Sequence, residues 1–497
     1  MEVDMDATPT QENLTTTRQH NGRAHAKDGR PKKPKSESKL AAVVRCWLTS
    51  VLPTLPGLPL SAGSSLLEWS IETLVSQAPK RWVIYEPMVL LPTGSFSFSA
   101  GLPASTPPVA SLTSPAPPLW QNVLSAVSHE QQDQLWRDIL LALSPSARGS
   151  GKGDIHNAQL THLAVNEGIP LHQEGKEDAE NILRSPTGLR PLYGDFGPAT
   201  TESGGAPTTV DFQRAFWVST KQNGLYQTWA PRWSMFSRGN IKEKARLLDW
   251  KHGDANDRWA VDLYAGIGYF VFSYAQRGLR VIGWELNPWS AEALRRGAAR
   301  NGWSVRVVRR ATDLARPTSD AVFSNTRVDD DTDEAGDTED TDNDGVDDDN
   351  ESPEIVIFVE DNQHAARRLA ELRAAAAESS SSPPSQKLGE VVHVNCGLLP
   401  TSRDTWRTAF DVVVGGPSTS GSSNSTERTG WLHLHENVGV EELTSRQEEI
   451  QAMMTTWAGE MPGTCKAIVE HIEQVKTFAP GVWHCVFDVR ITLLSES

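Results

Sequence analysis

The chain has 497 residues, which is enough for two or three domains that each bury a core. Its four cysteines form no CxxC pair, which argues against structural zinc and fits a reducing, cytoplasmic compartment. No apolar stretch reaches the roughly 18 residues of a membrane span, and the first residues lack the order of a signal peptide. We therefore expect a soluble protein.

The net charge of -16 is concentrated in one segment. Residues 329–351 contain 14 carboxylates and no Lys or Arg, so the rest of the chain is nearly neutral and an RNA partner is not excluded. Asp340 to Glu351 match a calcium-loop pattern, but Asp347 occupies its usually apolar eighth position and no paired amphipathic helices flank it. A disordered insertion without metal is the favoured interpretation.

Changes in composition divide the chain into four parts. Residues 1–40 form a basic tail that we expect to be disordered, and residues 41–150 form an N-terminal domain interrupted by a Pro/Ser-rich loop. Residues 151–255 are predicted to form a middle α+β domain. Residues 256–497 form the last domain, with a disordered insertion at 325–353.

Strand-like and helix-like segments alternate in the last domain. The segments WAVDLY, RVIGWE, EIVIFVE, EVVHVN and GWLHLH are short apolar strands, each followed by a helix-compatible segment. This alternation predicts a Rossmann-like α/β fold with a mostly parallel sheet covered by helices on both faces. At the end, AIVEHIEQVKTFAPGVWHCVFDVRI predicts two antiparallel edge strands joined at Pro480 and Gly481.

The first of these strands ends at Asp262 and turns through Gly266 and Gly268. A dinucleotide-binding fingerprint needs a third glycine, and this chain has Tyr269, Phe270 and Val271 instead. A ligand without a pyrophosphate, such as S-adenosylmethionine, needs only the shorter turn, an acid for its ribose and polar groups for its adenine.

Polar residues that fit these needs follow the next two predicted strands. Glu285 is placed to accept both ribose hydroxyls, and Asp361 and Asn362 could meet the adenine edge, because ligands gather at the carboxyl ends of parallel strands. The alternative is that these residues only cap helices.

Several segments carry a family resemblance. QTWAPRWSMFSRGNIKEKARLL, VDLYAGIGYFVF, GWELNPWSAEALRRG, VEDNQ, VNCGLLPTS and GWLHLHENV resemble the tRNA wybutosine-synthesizing protein 2 family, the aminocarboxypropyltransferases of wyosine-base synthesis. The resemblance extends upstream through KRWVIYEPMVLLP and ILRSPTGLRPLYGDFGP. It implies a class I methyltransferase-like domain preceded by smaller α+β domains.

The resemblance also implies a reaction. Members transfer the 3-amino-3-carboxypropyl group of S-adenosylmethionine to the tricyclic precursor 4-demethylwyosine at position 37 of phenylalanine tRNA and release 5′-methylthioadenosine. The expected partner is the anticodon loop, which the middle domain would face. We expect a monomer with neither a DNA nor a membrane partner.

The cofactor-binding positions of the family fall on Ser237, Lys244, Glu285, Asp361 and Asn362, with Arg238 as a further candidate. A hydroxyl and a cation at the methionine carboxylate would fix the methylene, rather than the methyl, toward the nucleophile. Together with the turn, the predicted cofactor-binding set is Ser237, Arg238, Lys244, Asp262, Gly266, Gly268, Glu285, Asp361 and Asn362. No catalytic base is assigned, since orientation of the two reactants can supply most of the rate enhancement.

Some residues depart from the family pattern or have a second interpretation. Glu360 stands where the family commonly has glycine, and Trp233 where it has tyrosine. Trp229 and Trp233 could stack on the extruded base, but core packing is the commoner role. His433 and His435 are expected to be core histidines.

Two alternative functions share much of this evidence. A guanosine-37 N1-methyltransferase would have a short Asn-Pro stretch after the fourth strand, whereas here Pro400 is displaced from Asn395. A non-catalytic tRNA-binding scaffold is disfavoured because the predicted cofactor-binding residues all retain usable chemistry.

Overall fold

A computed structural model describes residues 37–55, 71–96, 119–144, 159–166, 183, 186, 188–250, 258–323, 352–378, 386–415 and 427–494. Lys39–Ser497 form one compact unit. Residues 1–36 of the predicted basic tail, the Pro/Ser-rich loop and the acidic run 329–351 lie outside the described residues. The predicted domain boundaries near residues 150 and 255 also lie outside them and stay predictions.

Four helices and a four-stranded sheet share the first apolar core. The helices are α1 (Lys39–Val51), α2 (Ile71–Gln77), α3 (Leu119–Ala126) and α4 (His129–Leu143). The sheet order is β1 (Val83–Tyr85), β2 (Met88–Leu91), β3 (His162–Asn166), β4 (Leu189–Tyr193), and only the central pair is parallel. On α1 the fully buried Leu40, Val44 and Leu48 recur every four residues, so one face of the helix fills this core.

A short helix and a hairpin follow. They are α5 (Thr209–Arg214), β5 (Val218–Gln222) and β6 (Leu225–Trp229). Asn223 and Gly224 form the turn with φ of 51° and 84°, the left-handed pair that matches the twist of a two-residue hairpin. The chain then enters α6 (Ile241–Leu248), which leads to the large sheet.

The large sheet has eight strands. In chain order they are β7 (Arg258–Asp262), β8 (Arg280–Trp284), β9 (Val305–Val308), β10 (Ile355–Phe358), β11 (Glu390–Cys396), β12 (Glu427–Gly439), β13 (Thr464–Ala479) and β14 (Val482–Leu494). Their spatial order is β13-β14-β12-β11-β7-β8-β10-β9. Pairing is parallel from β9 to β12 and antiparallel between β12, β14 and β13.

The predicted fold class is therefore confirmed. All five predicted strands form, and the chain reverses at Pro480 and Gly481 into the predicted antiparallel edge. The sequence analysis missed β9, an edge strand whose first three residues are only half-buried, so its apolar signal is weak.

Helices cover both faces of the sheet. They are α7 (Val271–Gln276), α8 (Pro288–Asn301), α9 (Ala311–Leu314), α10 (Thr318–Phe323), α11 (Ala365–Glu378), α12 (Trp406–Val414) and α13 (Leu443–Gly459). Successive residues of β7 belong to different cores: Ala260 shares one core with Leu294 of α8, and Val261 shares another with Phe410 of α12. This alternation is the period of two that a strand buried on both faces requires. No helix in the described parts of the chain is long and apolar enough to cross a membrane.

A buried ionic network joins α6 to the large sheet. The Arg246 guanidinium donates to Glu243 Oε1 over 2.7 Å and to Asp488 Oδ1 of β14 over 3.0 Å. His433 Nδ1 lies 2.7 Å from the same Asp488 oxygen. Burial opposes ionisation of Asp488, but the hydrogen bonds from His433 and Arg246 hold its pKa below the ordinary value.

Arg246→Met should lower the free energy of unfolding by about 3–5 kcal/mol, because it leaves two buried carboxylates without their cation. Urea denaturation measures the loss. Arg367→Met is the matched control: Arg367 pairs with Glu371 on the exposed face of α11 over 2.7 Å, and such pairs contribute at most about 1 kcal/mol. Equal effects of the two substitutions would contradict the proposed importance of the buried network.

Candidate active site

A cavity of about 440 Å³ opens at the carboxyl ends of four neighbouring parallel strands. Residues just beyond β11, β7, β8 and β10 line it. The strand order reverses here, because the chain runs from β7 to β8 on one side and later returns from β10 to β11 on the other side of β7. Such a switch point is where open α/β sheets bind ligands. Five of the predicted cofactor-binding residues line the cavity: Ser237, Gly266, Glu285, Asp361 and Asn362.

The glycine turn forms the floor between β7 and α7. Gly266 and Gly268 have φ of 55° and 89°, which other residues adopt only with strain. A Cβ on Gly268 would lie 2.5 Å from the ring of Phe272, and one on Gly266 would lie 2.9 Å from the ring of Tyr269. Gly266 lines the cavity, whereas Gly268 shapes the turn behind it.

Glu285 joins this turn to the next strand. Its Oε2 accepts a hydrogen bond from the backbone N–H of Gly266 over 2.7 Å, and its Oε1 accepts one from Asn287 over 2.8 Å. Burial raises the pKa of Glu285 to about 7, against the lowering effect of both hydrogen bonds. Each carboxylate oxygen has a further lone pair, so this group can still accept hydrogen bonds from a ligand.

The polar pair beyond β10 is held in two ways. Asp361 Oδ1 accepts from the backbone N–H of Gln363 over 2.9 Å, so this residue caps a short 3-10 turn while also lining the cavity. Asn362 Nδ2 donates to the carbonyl of Leu263 over 2.9 Å. Glu360, the departure from the family pattern, lines the same wall with its charge paired to Arg368.

Asp262 lies beneath the turn and not in the cavity lining. It is fully buried, and its Oδ1 accepts from the Tyr264 backbone over 3.0 Å and from Asn395 Nδ2 over 3.3 Å. Its Oδ2 has no hydrogen-bond partner among the described residues. Burial raises the pKa of Asp262 to about 7. A donor from a ligand or a bound proton would therefore be favoured at this oxygen.

Lys244 lies behind the cavity wall. Its Nζ donates to Gln222 Oε1 and Gln227 Oε1, each over 2.8 Å, and it lies 5.4 Å from the centre of the Tyr269 ring. Gln227 in turn donates to the carbonyl of Gly268 over 3.3 Å. Burial lowers the pKa of Lys244 to about 7. Direct contact with a ligand would require its ammonium to leave both glutamines.

Arg238 is not brought to this cavity. It lies exposed in a second cavity next to the first, although its neighbour Ser237 lines the first. The two tryptophans considered for base stacking are also absent from the lining. Trp229 is buried against Phe236 with ring centres 4.6 Å apart. Trp233 stacks on Trp289 at the same distance, 4.6 Å.

Tyr269 and Lys476 are two of the cavity residues that the sequence analysis did not predict. Tyr269 donates its hydroxyl to the Met235 carbonyl over 2.7 Å and accepts from the Ser237 N–H over 2.9 Å, so it holds the segment before α6 against the turn. Its place directly after the second glycine was the available signal. Lys476 of β13 also lines the cavity, and nothing in the local sequence pointed to it.

The expected core histidines are buried outside the lining. His433 and His435 are 0% and 1% exposed. His393 Nδ1 lies 2.8 Å from His433 Nε2, and His435 Nδ1 lies 2.9 Å from His484 Nε2. These four side chains thus form two buried pairs, each joining neighbouring strands of the large sheet.

Two curated relatives carry the same name as the family that the motifs resemble. The tRNA wybutosine-synthesizing protein 2 of Schizosaccharomyces pombe is 35% identical over 331 residues, which cover 66% of this chain and 61% of that protein. The chain is similar to this protein over that stretch. The Saccharomyces cerevisiae protein of that name is 28% identical over 84% of this chain and 75% of its own length. The resemblance found in the motifs is confirmed.

The chain spans less than two thirds of the S. pombe protein. No family model matches it. Among solved structures, it is similar to Pyrococcus horikoshii TYW2 in complex with MeSAdo, with 15% sequence identity, a TM-score of 0.43, and coverage of 91% of this chain and 98% of that one.

Gly268→Ala should destabilise the fold by about 1–3 kcal/mol, because the new Cβ meets the Phe272 ring and the backbone has a positive φ. Urea denaturation measures the change. Gly205→Ala is the control, since its nearest neighbour, Ser203 Oγ, would lie at an ordinary 3.5 Å. A stability of Gly268→Ala equal to that of the control would show that the turn relaxes without cost.

Proposed function

We propose that the protein transfers the 3-amino-3-carboxypropyl group of S-adenosylmethionine to 4-demethylwyosine at position 37 of phenylalanine tRNA. Similarity to the two relatives named tRNA wybutosine-synthesizing protein 2 supports this reaction. The observation that carries the proposal within the structure is Glu285, a buried carboxylate bonded to the Gly266 N–H at the switch point of the sheet. A nucleoside ribose fits such an acceptor.

The adenosine half of the co-substrate would occupy the centre of the cavity. Glu285 would accept hydrogen bonds from the ribose hydroxyls, and Asp361 and Asn362 would meet the adenine edge. Gly266 suits close approach of the ligand, because its lack of a side chain leaves the backbone of the turn open.

The methionine half needs a cation for its carboxylate. Lys476 is the one basic side chain among the described residues that line the cavity, and it lies against Gly239, next to Ser237 and Asn240. We therefore propose that Lys476 and Ser237 face the carboxylate. Lys244, the sequence-based candidate, would support this wall from behind through the ring of Tyr269.

This placement determines which bond breaks. A carbon of the tricyclic base forms a bond to the methylene carbon next to sulfur, the carbon–sulfur bond breaks, and its electron pair stays on the sulfur of 5′-methylthioadenosine. The base carbon then loses its proton. The protein contributes by orienting the methylene toward the base, because a fixed reacting geometry lowers the entropic part of the barrier.

The tRNA region that is bound, the oligomeric state and the cellular compartment are part of the same proposal. The substrate would be presented by the anticodon loop, and no DNA or membrane partner is invoked. A cytoplasmic location is proposed because all four cysteines are free thiols, as a reducing compartment favours. The monomeric state stays a prediction.

S-Adenosylmethionine labelled separately in the methyl group and in the carboxyl group tests the reaction. With precursor tRNA, the carboxyl label should enter the RNA and the methyl label should remain in 5′-methylthioadenosine. Entry of the methyl label would instead identify an N1-methyltransferase. Entry of neither label, with tRNA binding intact, would identify a non-catalytic scaffold.

Glu285→Gln should weaken binding of 5′-methylthioadenosine at pH 8 by about 2 kcal/mol, because hydrogen bonds to a charged acceptor are lost. With a pKa of about 7, the wild-type carboxylate ionises between pH 6 and 8, so wild-type affinity should rise about tenfold over that range. The variant should show no such rise. Calorimetry measures both, with Glu371→Gln on the outer face of α11 as the control. A wild-type affinity that does not change with pH would place the ribose elsewhere.

Lys476→Met and Lys244→Met separate the two roles proposed for lysine. Lys476→Met should weaken S-adenosylmethionine about tenfold and leave 5′-methylthioadenosine unchanged, because the latter has no carboxylate. Lys244→Met should weaken both ligands alike, since it removes a support of the wall. Loss of S-adenosylmethionine binding alone in Lys244→Met would show that Lys244 itself holds the carboxylate.

A further inference from the structure

A second cavity of about 660 Å³ is lined mainly by residues of the N-terminal four-stranded sheet and the loop before it. We call this cavity the basic groove. Its walls come from the loop before β1, from β1 and β2, from the end of β3 and from the residue that follows Ser237. Three of its lining residues are cationic: Lys80, Arg81 and Arg238. None of the residues described along its walls is a carboxylate.

The charge of the basic groove is not neutralised within the protein. Lys80, Arg81 and Arg238 are exposed, and no ion pair joins any of them to a carboxylate in the described parts of the chain. Many other arginines are paired, such as Arg246 and Arg368. Three unpaired cations around one concave surface attract a polyanion rather than a protein carboxylate.

The basic groove also has an apolar floor. Trp82, Leu90, Leu91 and Pro92 contribute to it, and Trp82 is half-buried against the first core. Cations beside an aromatic surface are the combination with which proteins bind single-stranded nucleic acid, because phosphates meet the cations while sugars and bases meet the apolar surface.

One segment separates the basic groove from the candidate active site. Ser237 lines the active site and Arg238 lines the basic groove. The Arg238 guanidinium interacts electrostatically with the Tyr85 hydroxyl, and the Tyr85 ring meets Phe236 edge-on with centres 5.7 Å apart. A strand of RNA whose target base enters the active site would therefore have its neighbouring phosphates next to Arg238.

We infer that the basic groove binds the phosphate backbone of single-stranded RNA flanking the target nucleotide. This inference rests on the proposed function. It assigns Arg238 to RNA binding instead of the cofactor binding that the sequence analysis predicted. It also assigns Lys80 and Arg81 as phosphate contacts. The groove then holds the nucleic-acid substrate while the switch point of the sheet holds the co-substrate.

Salt-dependent tRNA binding tests the inference. The double variant Lys80→Ala/Arg81→Ala and the single variant Arg238→Ala should each bind precursor tRNA about tenfold more weakly at 0.15 M salt, and the slope of log K against log salt should flatten by about 0.7 for each lost phosphate contact. Affinity for 5′-methylthioadenosine should stay at the wild-type value. Lys221→Ala/Lys466→Ala is the control, because both lysines are exposed and neither lines the groove.

The outcomes separate the inference from the proposed function. If the groove variants bind RNA with unchanged affinity and salt slope while the wild-type protein still performs the transfer, the inference is overturned and the proposed function stands. If Arg238→Ala weakens 5′-methylthioadenosine binding and leaves RNA binding unchanged, Arg238 binds the cofactor and the inference is wrong for this residue. Failure of the wild-type protein to bind tRNA at all would overturn both.

Discussion

The hydrogen bond from the Gly266 N–H to the Glu285 carboxylate is the contact on which the candidate site depends. It ties the turn after β7 to the end of β8, and the second oxygen of Glu285 ties the same point to the start of α8 through Asn287. Burial works against the ionised form of this acid, so its pKa is raised to about 7. A buried acid that is already anchored but retains free lone pairs is preorganised for a ligand with hydroxyl donors.

The wall facing this acid depends on a second set of contacts. Tyr269 fixes the segment that contains Ser237, and Lys244 supports Tyr269 from behind while remaining bonded to the β5–β6 hairpin through Gln222 and Gln227. The same segment continues into Arg238 and the basic groove. A single short stretch of chain thus borders the surface proposed for the co-substrate and the surface proposed for RNA.

Much of the large sheet could be predicted from sequence because apolar strands buried on both faces leave a strong local signal. The five predicted strands and the reversal at Gly481 form as expected. Strand β9 was missed because its first three residues are only half-buried. For the site, local motifs located Glu285, Asp361 and Asn362, since each directly follows a strand whose end lies at the same edge of the sheet.

The remaining wall could not be predicted in this way. Lys476 lies more than two hundred residues from Ser237 in the chain, and only the pairing of β13 at the sheet edge brings it to the cavity. Arg238 and Lys244 lie close in sequence to Ser237, yet one faces the basic groove and the other lies behind Tyr269. The directions of side chains in an irregular segment follow from tertiary contacts, which a motif does not contain.

The most direct test is a crystal structure of the protein with 5′-methylthioadenosine. The Glu285 carboxylate should lie within about 3 Å of both ribose hydroxyls while keeping its bond to the Gly266 N–H, and the sulfur should point toward the wall that contains Ser237 and Lys476. A nucleoside bound away from Glu285, or one whose sulfur points away from that wall, would contradict the proposed placement of the reacting group.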